Sequence, residues 1–167
     1  MADDKTTEIL KHAILMEKRG QAFYGKVAQQ ASAEAVKRFF QTMAAEEENH
    51  IRILNEQFKA YQANKHYKEG PFDEQHAPGI DSQVLSKEIK SEISAADYEA
   101  AAVAAAMSME ESAIKLYSGR AAATTDPNEK ALYNWLAEWE RQHLDFLADI
   151  DRELREDIWY DQSFWPF

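Results

Sequence analysis

Apolar residues recur at helical spacing along most of this chain, and only five Gly and four Pro interrupt it. From about Thr6 to Gln30, Ile9, Ala13, Met16, Phe23 and Val27 fall near one face and predict a first helix. A second follows Ser32, a residue suited to capping, and runs to about Asn64. A third is expected near Ser94, where Ser94-Ala95-Ala96-Asp97 resembles a capping box, and continues to about Thr124. The fourth has the clearest start: Asp126 to cap, Pro127 at the first helical position and Glu129 to complete the box. It is expected to reach about Asp157, leaving an aromatic tail over 158–167.

The connections decide how these helices pack. Helices one and two are joined by a few residues, as are three and four, and short links make antiparallel neighbours. The middle segment, 65–93, carries Gly70-Pro71 and Pro78-Gly79, with room for a short helix over Ser82–Lys90. A helix of about 27 residues is roughly 40 Å long, and this segment is long enough to cross it. The expected fold is therefore all-α. It is one domain over 1–167, a ferritin-like four-helix bundle of two antiparallel hairpins joined by a long crossover.

The two hairpins repeat each other. An offset of 93 residues pairs Glu17 with Glu110, Tyr24 with Tyr117, Glu47 with Glu140, and His50 with His143. The same offset pairs Ala13 with Ala106, Met16 with Met109, Ala44 with Ala137, and Leu54 with Leu147, without a gap. Two related hairpins would pack about a pseudo-twofold axis and bring the paired residues together near the bundle centre.

Those paired residues carry metal chemistry. Glu47 with His50, and Glu140 with His143, stand at i and i+3, on one helix face. Glu17 and Glu110 add one carboxylate from each remaining helix, which completes a two-metal carboxylate set. One Glu-x-x-His means little, because glutamate is common on solvated faces. Two such motifs, each 30 residues after a glutamate, are hard to obtain from surface patterning alone. Four buried carboxylates would be prohibitive without compensation, and two divalent cations supply it. Oxygen and imidazole donors suit iron or manganese, and zinc also accepts them.

Tyr24 and Tyr117 stand two turns beyond Glu17 and Glu110, as hydroxyl partners of ligand carboxylates or as ordinary packed aromatics. His12, His66 and His76 lack partners at ligand spacing and read as structural or solvated. Glu46, Glu48 and Glu111 are expected to point away from the site. No side chain stands out as a separate general acid or base.

Composition narrows the remaining classes. The chain has no cysteine, which excludes disulfides, iron–sulfur clusters and thiolate zinc sites. Its formal net charge of −11 repels phosphate backbones, so nucleic acid is not an expected partner. The longest apolar run, Ala100 to Met109, is mostly Ala and too short to span a bilayer, so no membrane partner is expected. The acidic, polar start differs from a signal peptide.

Taken together, Met16-Glu17 with Phe23-Tyr24, Glu47-x-x-His50, Met109-Glu110 with Leu116-Tyr117, and Glu140-x-x-His143 resemble the rubrerythrin branch of the ferritin-like superfamily. The resemblance covers roughly residues 6 to 155. It implies a non-haem di-iron centre in a cytoplasmic protein. The activities it implies are reduction of hydrogen peroxide under oxidative stress, oxidation of ferrous iron, and oxygen activation or iron storage. An external electron donor, if the chain is an enzyme, and a homo-oligomer, a dimer, are also expected. Two departures stand out. Relatives carry a cysteine-ligated C-terminal iron domain, absent from this cysteine-free chain, and an additional Glu one turn after the third-helix ligand, where this chain has Ala113. Metal handling without turnover, or a purely structural metal, is the alternative expectation.

Overall fold

A computed structural model describes residues 2–72, 89 and 98–160 of the chain. They form four helices: α1 (Ala2–Gln30), α2 (Glu34–Asn64), α3 (Tyr98–Ala123) and α4 (Pro127–Tyr160). The expected capping box at Ser94, the short helix over Ser82–Lys90 except helical Ile89, and the tail beyond Tyr160 lie outside the described residues.

The helix ends follow from local chemistry. At α4, Asp126 Oδ1 accepts the backbone N–H of Asn128 (2.8 Å) and of Glu129 (3.1 Å), which satisfies two donors of the open first turn. Glu129 does not close the box. Its carboxylate is buried against Arg120 (2.6 Å) and the Tyr67 hydroxyl (2.8 Å), and it also accepts from Thr124. At α2, Ser32 is not the cap. Ala33 takes that place in an extended conformation, with no side-chain hydrogen bond, and Glu34 offers its charge to the helix dipole. The helix stops at Lys65, whose left-handed backbone (φ 61°) turns its N–H onto the Tyr61 carbonyl at 2.9 Å.

α1 pairs with α2 and α3 with α4, while α1 also meets α3. α2 and α4 meet through rings such as Phe39 and Phe146, with centroids 4.9 Å apart. This is the all-α, ferritin-like four-helix bundle that the connections predict. Along α1 the buried seam reads Leu10, Ala13, Glu17, Gly20, Tyr24, Val27, a regular alternation of three and four residues. Ile9, Met16 and Phe23, expected on the inner face, flank that seam and are partly buried.

The apolar core is divided in two. One cluster holds Tyr24, Phe39, Phe40, Met43, Val103, Phe146 and Leu147, with Ile89 from the crossover packed into it. The other holds Leu10, Leu54, Tyr117, Leu132, Tyr133 and Leu136. Between them the seam turns polar.

Candidate metal centre

Each helix delivers its polar residues to that middle layer through the same register that buries the core. Glu17 occupies a seam position of α1, Glu47 and His50 of α2, Glu110 of α3, and Glu140 and His143 of α4. All six are between 1% and 3% exposed, so none is a solvated surface charge.

The six fall into two overlapping groups. Oxygen or nitrogen atoms of Glu17, Glu47, His50 and Glu140 all lie within 4.8 Å of one another, and so do those of Glu47, Glu110, Glu140 and His143. His50 Nδ1 is 3.2 Å from Glu17 Oε2, 3.2 Å from Glu140 Oε1 and 3.8 Å from Glu47 Oε2. His143 Nδ1 is 3.1 Å from Glu140 Oε2, 3.7 Å from Glu110 Oε1 and 3.9 Å from Glu47 Oε1. The 93-residue offset exchanges one group for the other, and Glu47 and Glu140 belong to both. Each group offers three carboxylates and one imidazole.

A centre of this kind is under electrostatic stress when it holds only protons. Burial raises Glu47 well above the usual carboxylate range, and repulsion from Glu17 and Glu140 adds to it. Burial, then Glu140, pushes Glu110 up to about 7 against the pull of His143. Burial lowers His50 and His143, but their carboxylate neighbours outweigh it and lift both well above an ordinary histidine. Burial raises Glu140, yet the two histidines flanking it hold it well below the usual range. Glu140 Oε1, though close to His50, lies outside hydrogen-bonding geometry and has no other partner among the described residues. Protons shared among crowded carboxylates, with one oxygen unsatisfied, are a poor substitute for divalent cations. The donor set fits such cations.

The tyrosines do more than pack. Tyr24 donates its hydroxyl to Glu110, and Tyr117 donates to Glu17. Burial and the facing carboxylates raise both phenols well above their ordinary value, so each stays a donor. A small cavity opens beside the carboxylates between α1 and α3, bordered by Met16, Gly20, Met109 and Ala113. Gly20 and Ala113 are related by the same offset of 93. A methyl group built on Gly20 would stand 3.3 Å from the Glu47 carboxyl carbon.

One expectation is overturned. Glu46 does not point elsewhere: it is buried, and its Oε2 lies 2.6 Å from Nε2 of His143. Positions 43, 46 and 50 share a face, and that spacing is the signal which could have placed it. Trp139 is likewise not foreseen beside the histidines; its ring lies 6.1 Å from that of His50, and the ring of Trp135 lies 5.6 Å from it. Glu48 and Glu111 do face solvent, as do His12 and His66, while His76 lies outside the described residues.

Comparison with known proteins agrees with this layout. The model of the Rubrerythrin family matches residues 8–151, which contain all four helices' contributions to the cluster. No curated protein and no solved structure gives a significant match.

Proposed function

The chain belongs to the rubrerythrin family, and on that premise we propose that its central cluster is a non-haem di-iron centre of an oxidoreductase acting on hydrogen peroxide, oxygen or ferrous iron. The observation that carries this is the pair of overlapping buried groups sharing Glu47 and Glu140. Glu17 and His50 would complete one metal site, and Glu110 and His143 the other. Manganese or zinc would find the same donors acceptable. Iron held by these residues would supply reversible electron transfer to a small oxidant, with an external donor as the source of electrons.

The protein's own part is to hold and to exclude. Tyr24 and Tyr117 fix the outer carboxylates Glu110 and Glu17 by hydrogen bonds. The two apolar clusters keep water from either end of the site. The narrow cavity by Gly20 and Ala113 admits only small reactants.

The absent cysteines and Ala113 favour a second reading, metal binding without turnover. Metal analysis of protein grown in iron-rich medium, followed by anaerobic reduction and addition of peroxide, separates the two. The oxidoreductase reading expects bound iron, a change in visible absorption and consumption of peroxide. Iron-loaded protein that shows neither change contradicts it. A storage role would need a hollow multi-subunit shell, and elution of a monomer or dimer from a sizing column would eliminate it.

A further inference from the structure

The 93-residue offset matches every proposed ligand with its like, but not the residue before each Glu-x-x-His motif. Glu46 precedes Glu47, whereas Trp139 precedes Glu140. The consequence is visible around the two imidazoles. His143 turns Nδ1 toward Glu140, Glu110 and Glu47, and its Nε2 meets the Glu46 carboxylate at 2.6 Å. On the other side, the position matching Glu46 holds an indole, whose ring centroid lies 6.1 Å from those of both His50 and His143. Trp135 adds a second indole, edge-on to His50 at 5.6 Å.

We propose that Glu46 is a positioning residue that makes the two halves of the centre unequal, so that the group with Glu110 and His143 binds a divalent ion first and more tightly. The inference rests on the metal-centre reading above. A carboxylate that accepts the Nε2–H of an imidazole fixes the tautomer, leaves Nδ1 as the lone-pair nitrogen and raises its basicity. His143 has that support. Aromatic rings beside His50 constrain its orientation but do not supply an anionic acceptor from position 139. The two groups therefore have matching donors and unmatched surroundings, and a state with one ion bound is populated before the pair is complete.

Titration of the metal-free full-length protein with Co²⁺, followed by absorption, and with Zn²⁺, followed by calorimetry, tests this. Two resolved steps are expected. Glu46→Gln should weaken the tighter step by about 10- to 100-fold and leave the weaker one unchanged. Trp139→Glu should tighten the weaker step. Nitrogen-15 NMR of the histidines in the Zn²⁺-loaded protein gives a readout that does not depend on either variant folding. His143 should be metal-bound through Nδ1, with a strongly downfield Nε2–H. Two equal steps in the natural protein, a folded Glu46→Gln variant that keeps the tighter step, or His143 bound through Nε2 would each overturn the inference. Absence of any divalent-ion binding would instead overturn the metal centre itself.

Discussion

The hydroxyl of Tyr24, on α1, donates to the carboxylate of Glu110, on α3, and Tyr117 returns the same contact to Glu17. The two bonds cross between hairpins and are exchanged by the internal repeat. Each of Tyr24→Phe and Tyr117→Phe removes one hydroxyl donor from a buried carboxylate. We expect each to cost about 1–3 kcal/mol of metal-free stability and to lower metal affinity roughly tenfold. Urea unfolding and metal titration of the two variants should give changes of similar size. A change in only one of them would show that the halves do not share this device.

Acidity should act on the metal-free protein in an unusual direction. Glu47, Glu110, His50 and His143 all have folded pKa values above their ordinary ones. For such groups the folded state binds more protons than the unfolded state, so stability falls as pH rises through the shifted range. Glu140, shifted downward, is already ionised in both states above about pH 5 and adds no slope there. The melting temperature without metal should therefore fall between about pH 5 and about pH 8. Metal ions compete for the same atoms, so the loaded protein should show a flatter profile, and loading should release protons into weakly buffered solution.

Gly20 sits in mid-helix, where alanine would ordinarily favour the fold by about 1 kcal/mol. Its added methyl would meet the Glu47 carboxyl carbon at 3.3 Å. The two effects oppose each other, so Gly20→Ala should change metal-free stability by less than about 1 kcal/mol. Metal affinity should fall, because Glu47 belongs to both ligand groups. Thermal melts and metal titration on the same sample would separate the two quantities.

At the end of the bundle, Glu129 gathers Arg120, Tyr67 and Thr124. Glu129→Ala would leave the partly buried Arg120 guanidinium without its carboxylate and should destabilise the fold by about 2 kcal/mol. Metal affinity should be unaffected, since none of these side chains reaches the centre. Calorimetric unfolding and metal binding measured together would check both halves of this expectation.

Much of this was legible before any coordinates. The helix started by Asp126-Pro127 and the two hairpins follow from local chemistry and link length. The six candidate ligands were legible because glutamate and histidine recur at one spacing in both halves, and the structure brings all six into one buried layer. Glu46 was missed because Glu46, Glu47 and Glu48 look alike in sequence, while at a four-helix crossing the buried arc is wide enough to take two adjacent positions. On α1 the periodicity finds Ala13 and Val27 on the buried seam, but Ile9, Met16 and Phe23 stand one residue aside of it, because seam positions between are occupied by Glu17, Gly20 and Tyr24, which apolar periodicity does not count. The indoles beside His50 depend on how α4 is rotated against α2, which tertiary packing decides.

Neither ligand group belongs to one hairpin. Glu17, Glu47 and His50 need Glu140 from the other half of the chain, and Glu110, Glu140 and His143 need Glu47. An ion held in either group ties together segments that are far apart in sequence and closes the long loop through the crossover. That is the topological work of a disulfide, which restricts the unfolded chain most when the enclosed loop is long. This chain has no cysteine with which to form one. Its carboxylates and imidazoles would provide a cross-link that a chelator, rather than a reductant, can undo.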